Sequence, residues 1–214
     1  MEEQFDMILA KGSRVRYDDP FFTSFDIDEL LIHMSNICRY NGAIKIDLLR
    51  HSLLVSFLVW EEIEDTDNKE LNNYISALAA IHDMQEAIVG DIVTPLKAKL
   101  PGFSELESKW ENWVLVNTGL STARWNTTYR DPEIAKQIKA ADTRALVLET
   151  AFRNHPRKDH FFDKYALKEI SEHDMTDLTI LYSLPTEQLV NLFKKTIELA
   201  VQPLNSFNQG ALYG

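Results

Sequence analysis

An apolar stripe at Leu71, Ile75 and Leu78, spaced by four and three residues, should continue at position 82, and the residue there is His82. Asp83 follows about 100° further around a helix and Glu86 comes one turn after His82, so an imidazole and two carboxylates share one inward-leaning arc. His51 interrupts a second apolar face, that of Leu54, Val55 and Leu58. Asp142 flanks a third, formed by Ile134, Ile138, Ala141, Ala145, Leu148 and Phe152, in the small-residue context Lys-Ala-Ala-Asp-Thr. Taken singly, each is an ordinary core histidine or boundary aspartate. Together they offer two imidazoles and two carboxylates on three helices. This set suits one divalent transition metal with positions left open for water and substrate. Manganese, iron, cobalt, nickel and zinc all accept such donors, and magnesium is less natural for two nitrogens. Glu86 points into the same cavity as His82 and is the group placed to move a proton.

The elements that must hold these residues read as helices throughout. Glycine and proline are sparse, with 7 of each in 214 residues, and apolar residues recur at helical rather than alternating spacing. After a polar, partly extended start through Gly12 to Tyr17, a helix is predicted from near Asp26 to Asn41-Gly42, where glycine supplies the usual stop. A second runs from about Asp47 to Glu64 and a third from near Glu70 to Gly90, separated by the polar loop Asp65 to Asn68. Thr94-Pro95 reads as a helix start and Pro101-Gly102 as its break. Further helices span Phe103 to about Thr118, Asp131-Pro132 to about Asn154, and Pro185 to near Val201. The expected architecture is all-α, a single helical bundle over residues 1–214.

Composition narrows the function classes. A formal charge of −11, from 22 Lys and Arg against 33 Asp and Glu, repels long nucleic acid, although a cation and a few local basic groups can reverse the field inside one pocket. The most apolar stretch, Ile75 to Ile81, broken by Ser76, is far short of the ~20 residues a bilayer span needs. The first residues carry no basic-then-apolar leader, and one cysteine, Cys38, excludes an internal disulfide and multi-cysteine zinc motifs. A cytoplasmic protein without membrane or long nucleic-acid partners is expected.

The order His51, His82-Asp83, Asp142 resembles the H…HD…D pattern of the HD-domain metal-dependent phosphohydrolases. The dipeptide alone means little, since His173-Asp174 repeats it in a polar stretch. The surrounding text is more specific: Ile37-Cys38-Arg39-Tyr40-Asn41-Gly42, Arg50-His51-Ser52, Ala80-Ile81-His82-Asp83-Met84-Gln85-Glu86-Ala87 and Gly90-Asp91-Ile92-Val93-Thr94-Pro95-Leu96-Lys97. Over roughly residues 12–154 the chain is similar to the branch of bacterial 5'-deoxynucleotidases and phage dATP triphosphohydrolases, with C-terminal helices following in residues 155–214. The resemblance implies a single HD-domain bundle in which His51, His82, Asp83 and Asp142 hold the metal and Glu86 activates water or assists the leaving group. It further implies that Arg39 contacts phosphate, Tyr40 stacks on the base where many relatives carry tryptophan, Asp91 contacts the sugar, and Thr94 and Lys97 face the phosphates.

The substrate class that follows is a deoxyribonucleoside 5'-phosphate. The favoured case is dATP, split into deoxynucleoside and triphosphate. A deoxynucleoside monophosphatase would use the same site, and a regulatory protein that keeps the metal without turnover is the alternative from another class. The resemblance also implies a homo-oligomer, located in the host cytoplasm if the chain is phage-encoded. Trp110, Trp113 and Trp125, at helical spacing, read as core, and Lys99, Arg124 and Arg144 receive no role.

Overall fold

A computed structural model describes residues 6–22, 26–39, 42–63, 68–120, 131–165 and 170–201. The N-terminal segment forms a small antiparallel hairpin, β1 (Met7–Ile8) with β2 (Arg14–Val15), in which Met7 pairs with Val15 and Ile8 with Arg14. A 3-10 turn at Pro20–Phe22 follows. The rest is helical: α1 (Ile27–Met34), α2 (Leu48–Ile63), α3 (Lys69–Ile81), α4 (Glu86–Val89), α5 (Thr94–Lys97), α6 (Phe103–Asn117), α7 (Pro132–Phe152), α8 (Lys158–Tyr165), α9 (Glu172–Ser183) and α10 (Thr186–Val201). The fold is all-α, as the apolar spacing predicts.

Two of the predicted helices are shorter than expected, and in both cases side chains compete for backbone groups. The first ends at Met34 instead of Gly42, because Ser35 Oγ and Asn36 Nδ2 donate to the Ile32 carbonyl at 2.7 and 3.0 Å. The chain then folds back on itself: Cys38 bridges Asp47, and Arg39 N donates to the Ile46 carbonyl at 2.9 Å. Arg39 therefore sits in a loop and not at a helix end. The third predicted helix divides into α3 and α4. His82 Nδ1 donates to the Ala79 carbonyl at 2.7 Å, and that carbonyl is the one a continuing helix would offer to the Asp83 N–H. Tight turns carry residues 82–85, and the chain resumes as α4 until Gly90, which adopts φ 90° and ends the element.

The centre of the bundle is α2, which is apolar almost all round and buried accordingly. Its main neighbours are α3 and α7, and α10 packs across α3. Close approach of α2 and α3 is secured by a reciprocal pair: Ser56 Oγ donates to the Ser76 carbonyl at 2.9 Å and Ser76 Oγ to the Ser56 carbonyl at 3.0 Å. Trp110 and Trp113 belong to the core, as predicted, with Trp110 Nε1 donating to the Tyr17 carbonyl at 3.1 Å. Trp125 and Arg124 lie outside the described residues. Full burial of a leucine-sized side chain is worth about 1.5–3 kcal/mol. His51, at 0% exposure among Leu48, Leu49, Leu53 and Leu54, forgoes that contribution at the middle of the core.

Candidate metal centre

The packing of α2 against α3 and α7 draws His51, His82, Asp83 and Asp142 together, one ligand atom from each lying within 4.8 Å of all the others. His51 Nε2 is 3.3 Å from Asp142 Oδ1 and 3.7 Å from Asp83 Oδ2, and His82 Nε2 is 3.2 Å from Asp83 Oδ2. The two rings are tilted with centroids 5.5 Å apart. Each imidazole is fixed by its other nitrogen. The Ala79 carbonyl can only accept, so His82 Nδ1 carries a proton, and His51 Nδ1 faces Glu149 Oε1 at 3.0 Å. Both Nε2 atoms are left buried and without a hydrogen-bond partner among the described residues, facing the carboxylates of the cage. A metal ion held here would satisfy these orphaned atoms together with the two aspartates. The four residues can hold a metal ion.

The charges around the cage favour positive charge at its centre. Burial and the Arg39 guanidinium would depress the His51 imidazole, but Glu149 and Asp142 outweigh them and take its pKa up to about 9. Burial would raise Asp83 and Asp142, yet the neighbouring imidazoles hold both carboxyls below the usual range, with Arg39 adding to the effect on Asp83. A proton or a metal ion finds the same attraction there.

Glu86 is brought beside the cage by the break in the helix. Its side chain is buried, and Oε2 lacks a hydrogen-bond partner among the described residues. Burial, reinforced by the Asp83 charge, pushes its pKa up to about 8 against the pull of Arg39 and Lys97. Arg39 reaches in from its loop and lies 2.6 Å from Asp83 Oδ2, 3.7 Å from Glu86 Oε2 and 3.8 Å from Asp142 Oδ1, so one guanidinium serves three carboxylates. Lys97 Nζ donates to Glu86 Oε1 at 2.8 Å and to Glu107 Oε1 at 2.6 Å. The two carboxylates outweigh the effect of burial and hold its ammonium above the usual range.

A cleft of about 260 Å³ opens beside His82, Asp83 and Asp142, lined also by Glu111, Ile138 and Lys139, and Glu86, expected to share a cavity with His82, is not among its lining residues. Lys139 Nζ donates to Asp142 Oδ2 at 2.6 Å from the cleft mouth. Asp91 is half-buried, close enough for its charge to act on Glu86. Tyr40 and the side chain of Thr94 lie outside the described residues. Lys99 is exposed, and Arg144 turns away to pair with Glu61 at 3.5 Å and Asp174 at 2.7 Å.

Three contributors were not read from the sequence. Glu149 lies two turns after Asp142 on α7 and is fully buried, and Tyr182 OH donates to its Oε1 at 3.1 Å. Burial and the Glu149 charge hold the phenol pKa well above its usual value, which keeps the hydroxyl a donor. The seven-residue interval from Asp142, with Val147 and Leu148 just before Glu149, was the available signal for a buried acid. Lys139, one turn before Asp142, is the third.

No family model matches the chain. It is 29% identical over 146 residues to an uncharacterized protein of Rhodobacter capsulatus, covering 66% of this chain and 69% of that protein. To the uncharacterized protein YfdR of Escherichia coli it is 27% identical over 140 residues, 64% of this chain and 66% of that protein. Neither name states an activity, so a functional reading has to come from the chemistry of the cage.

Proposed function

We propose that the chain is a metal-dependent phosphohydrolase acting on deoxyribonucleoside 5'-phosphates. The favoured substrate is dATP, cleaved to deoxynucleoside and triphosphate. The observation that carries the reading is a buried carboxylate, Glu86, with one oxygen that accepts no hydrogen bond among the described residues, beside four side chains that can hold a metal ion. A structural cage alone has no need of such a group.

A cation bound by His51, His82, Asp83 and Asp142 supplies Lewis acidity and lowers the pKa of water. The reaction adds water to the α-phosphorus and breaks the bond between phosphorus and the 5'-oxygen. Glu86 accepts the water proton through Oε2 and returns a proton to the departing 5'-oxygen. Lys97, on the other oxygen of Glu86, holds that carboxylate in place. Arg39 has the planar donor pairs that match a phosphate and already sits among carboxylates of the cage. Lys139 at the cleft mouth adds a cation suited to a longer phosphate chain in an otherwise acidic protein. Iron, cobalt, manganese, nickel or zinc matches the two-nitrogen, two-carboxylate donor set.

Product analysis tests the reading. Purified protein is incubated with dATP, dAMP and ATP across a panel of divalent metals, and intact triphosphate from dATP is the expected product. Orthophosphate from dAMP with inert dATP would instead establish the monophosphatase. Absence of hydrolysis of every nucleotide with every metal would overturn the proposal, and equal turnover of ATP would remove selection for deoxyribose.

A further inference from the structure

The geometry points to Glu149 as a positioning residue for the metal cage, with Tyr182 bringing helix α9 into control of the His51 ring. The inference rests on the reading of the four-residue cage as a metal site.

The two histidines of the cage are held in different ways. His82 is fixed by a backbone carbonyl in its own turn, that of Ala79. His51 is fixed by a side chain from another helix, since its Nδ1 faces Glu149 Oε1 across the α2–α7 contact at 3.0 Å. Both partners are fully buried. Burying a carboxylate is costly unless its lone pairs are used, and an apolar residue at this position would fill the core without that cost. The compensating gain is directional: Glu149 holds Nδ1, so that Nε2 faces the cage as the atom a metal would take, and it would make the imidazole more electron-rich as a ligand.

Tyr182 delivers a second donor to the same oxygen, Oε1, at 3.1 Å. Its ring is held against α7 by stacking on Phe152, with centroids 5.1 Å apart, and the Arg153 guanidinium lies 5.3 Å from both ring centroids. A second tie runs from the residue next to His51, because Arg50 Nη2 donates to the Leu184 carbonyl just beyond α9 at 2.7 Å. The end of α9 thus grips adjacent residues of α2, one through Glu149 and one directly. Displacement of this end would turn His51 without touching any group that faces the cleft.

Cobalt(II) titration of the full chain tests this, read by competition with a chromophoric chelator and by the visible spectrum of the cobalt-loaded protein. Glu149→Gln is expected to weaken cobalt binding about 10–100-fold and to alter the ligand-field bands. Tyr182→Phe, which leaves the buried carboxylate in place, is expected to give a smaller loss in the same direction. Both effects would be absent if the pair served packing alone. Wild-type affinity and spectrum in Glu149→Gln overturn the positioning role, and wild-type behaviour in Tyr182→Phe overturns the link to α9. Failure of the unmodified chain to bind cobalt overturns the cage reading and this role with it.

Discussion

The chain contains the dipeptide His-Asp twice, and the two copies have opposite fates. His82-Asp83 lies at the end of α3 with side-chain exposures of 11% and 18%, next to a second buried imidazole. His173-Asp174 lies in the first turn of α9, with His173 at 75% exposure. The second copy even gathers company: Glu61, His173 and Asp177 also bring ligand atoms within 4.8 Å of one another. What separates the copies is how their polar atoms are already used. Asp174 closes a capping box with Ser171 and accepts from Arg144 at 2.7 Å, so its oxygens serve helix α9. His173 stands in water beside Asp177 and Glu61, at 3.4 and 4.0 Å, where solvent competes with any cation. At the first copy the backbone engages one imidazole nitrogen and burial strands the other. A ligand is therefore marked by an unmet hydrogen-bonding requirement more than by residue type.

The comparison is broken most directly by removing each histidine in turn. His82→Ala or Asp83→Ala is expected to abolish stoichiometric metal binding, about one ion per chain by elemental analysis, and hydrolysis with it. His173→Ala is expected to leave both unchanged. Full occupancy in His82→Ala, or loss of metal in His173→Ala, would erase the distinction between the copies.

A finer cut separates the cage from its chemistry. Glu86→Ala should retain the metal while turnover falls about 10²–10⁴-fold, the usual size of a general acid–base contribution. Undiminished turnover in a metal-loaded variant would make Glu86 structural and assign the proton to another group.

The smallest effect belongs to the surface copy. Ser171 and Arg144 hold the Asp174 carboxyl below its ordinary pKa, burial opposing them, so its stabilising contribution is complete above the unfolded value near 4 and disappears as pH falls through the folded one. Asp174→Ala should lower stability by about 1 kcal/mol at neutral pH, a typical capping contribution. In urea unfolding the gap to wild type is expected to close as pH drops below about 4. A gap independent of pH would mean that the loss is packing and not the charged cap.

Much of this architecture was legible in the sequence because the cage interrupts apolar stripes. His51 and His82 occupy positions where a leucine-like side chain is due, and Asp142 borders a stripe of small residues, so the faces of the helices already converge on them. The helix break at 82–85 was not legible, since it arises from an imidazole taking the Ala79 carbonyl, a side-chain contact that periodicity does not encode. The early end of α1 has the same origin in Ser35 and Asn36. Glu149 escaped because a glutamate on a helix ordinarily faces water, and its burial depends on partners 98 and 33 residues away in the chain. The resemblance assigned Lys97 to the phosphates, whereas its pairing with Glu86 and Glu107 depends on how α5 meets α6, which the sequence does not encode.

The distribution of the cage along the chain also sets when it can close. Neighbours in sequence, α2 and α3 can pair early through Ser56 and Ser76, whereas Asp142 and Glu149 meet His51 only after α7 docks across a long intervening segment. Several carboxylates then converge, and a cation held among them would act only on the closed cage, after α7 has docked. Its effect is expected on the unfolding arm of a chevron, with the refolding arm unchanged. The folded lifetime of the chain, and with it resistance to proteolysis, would follow the supply of metal in its surroundings.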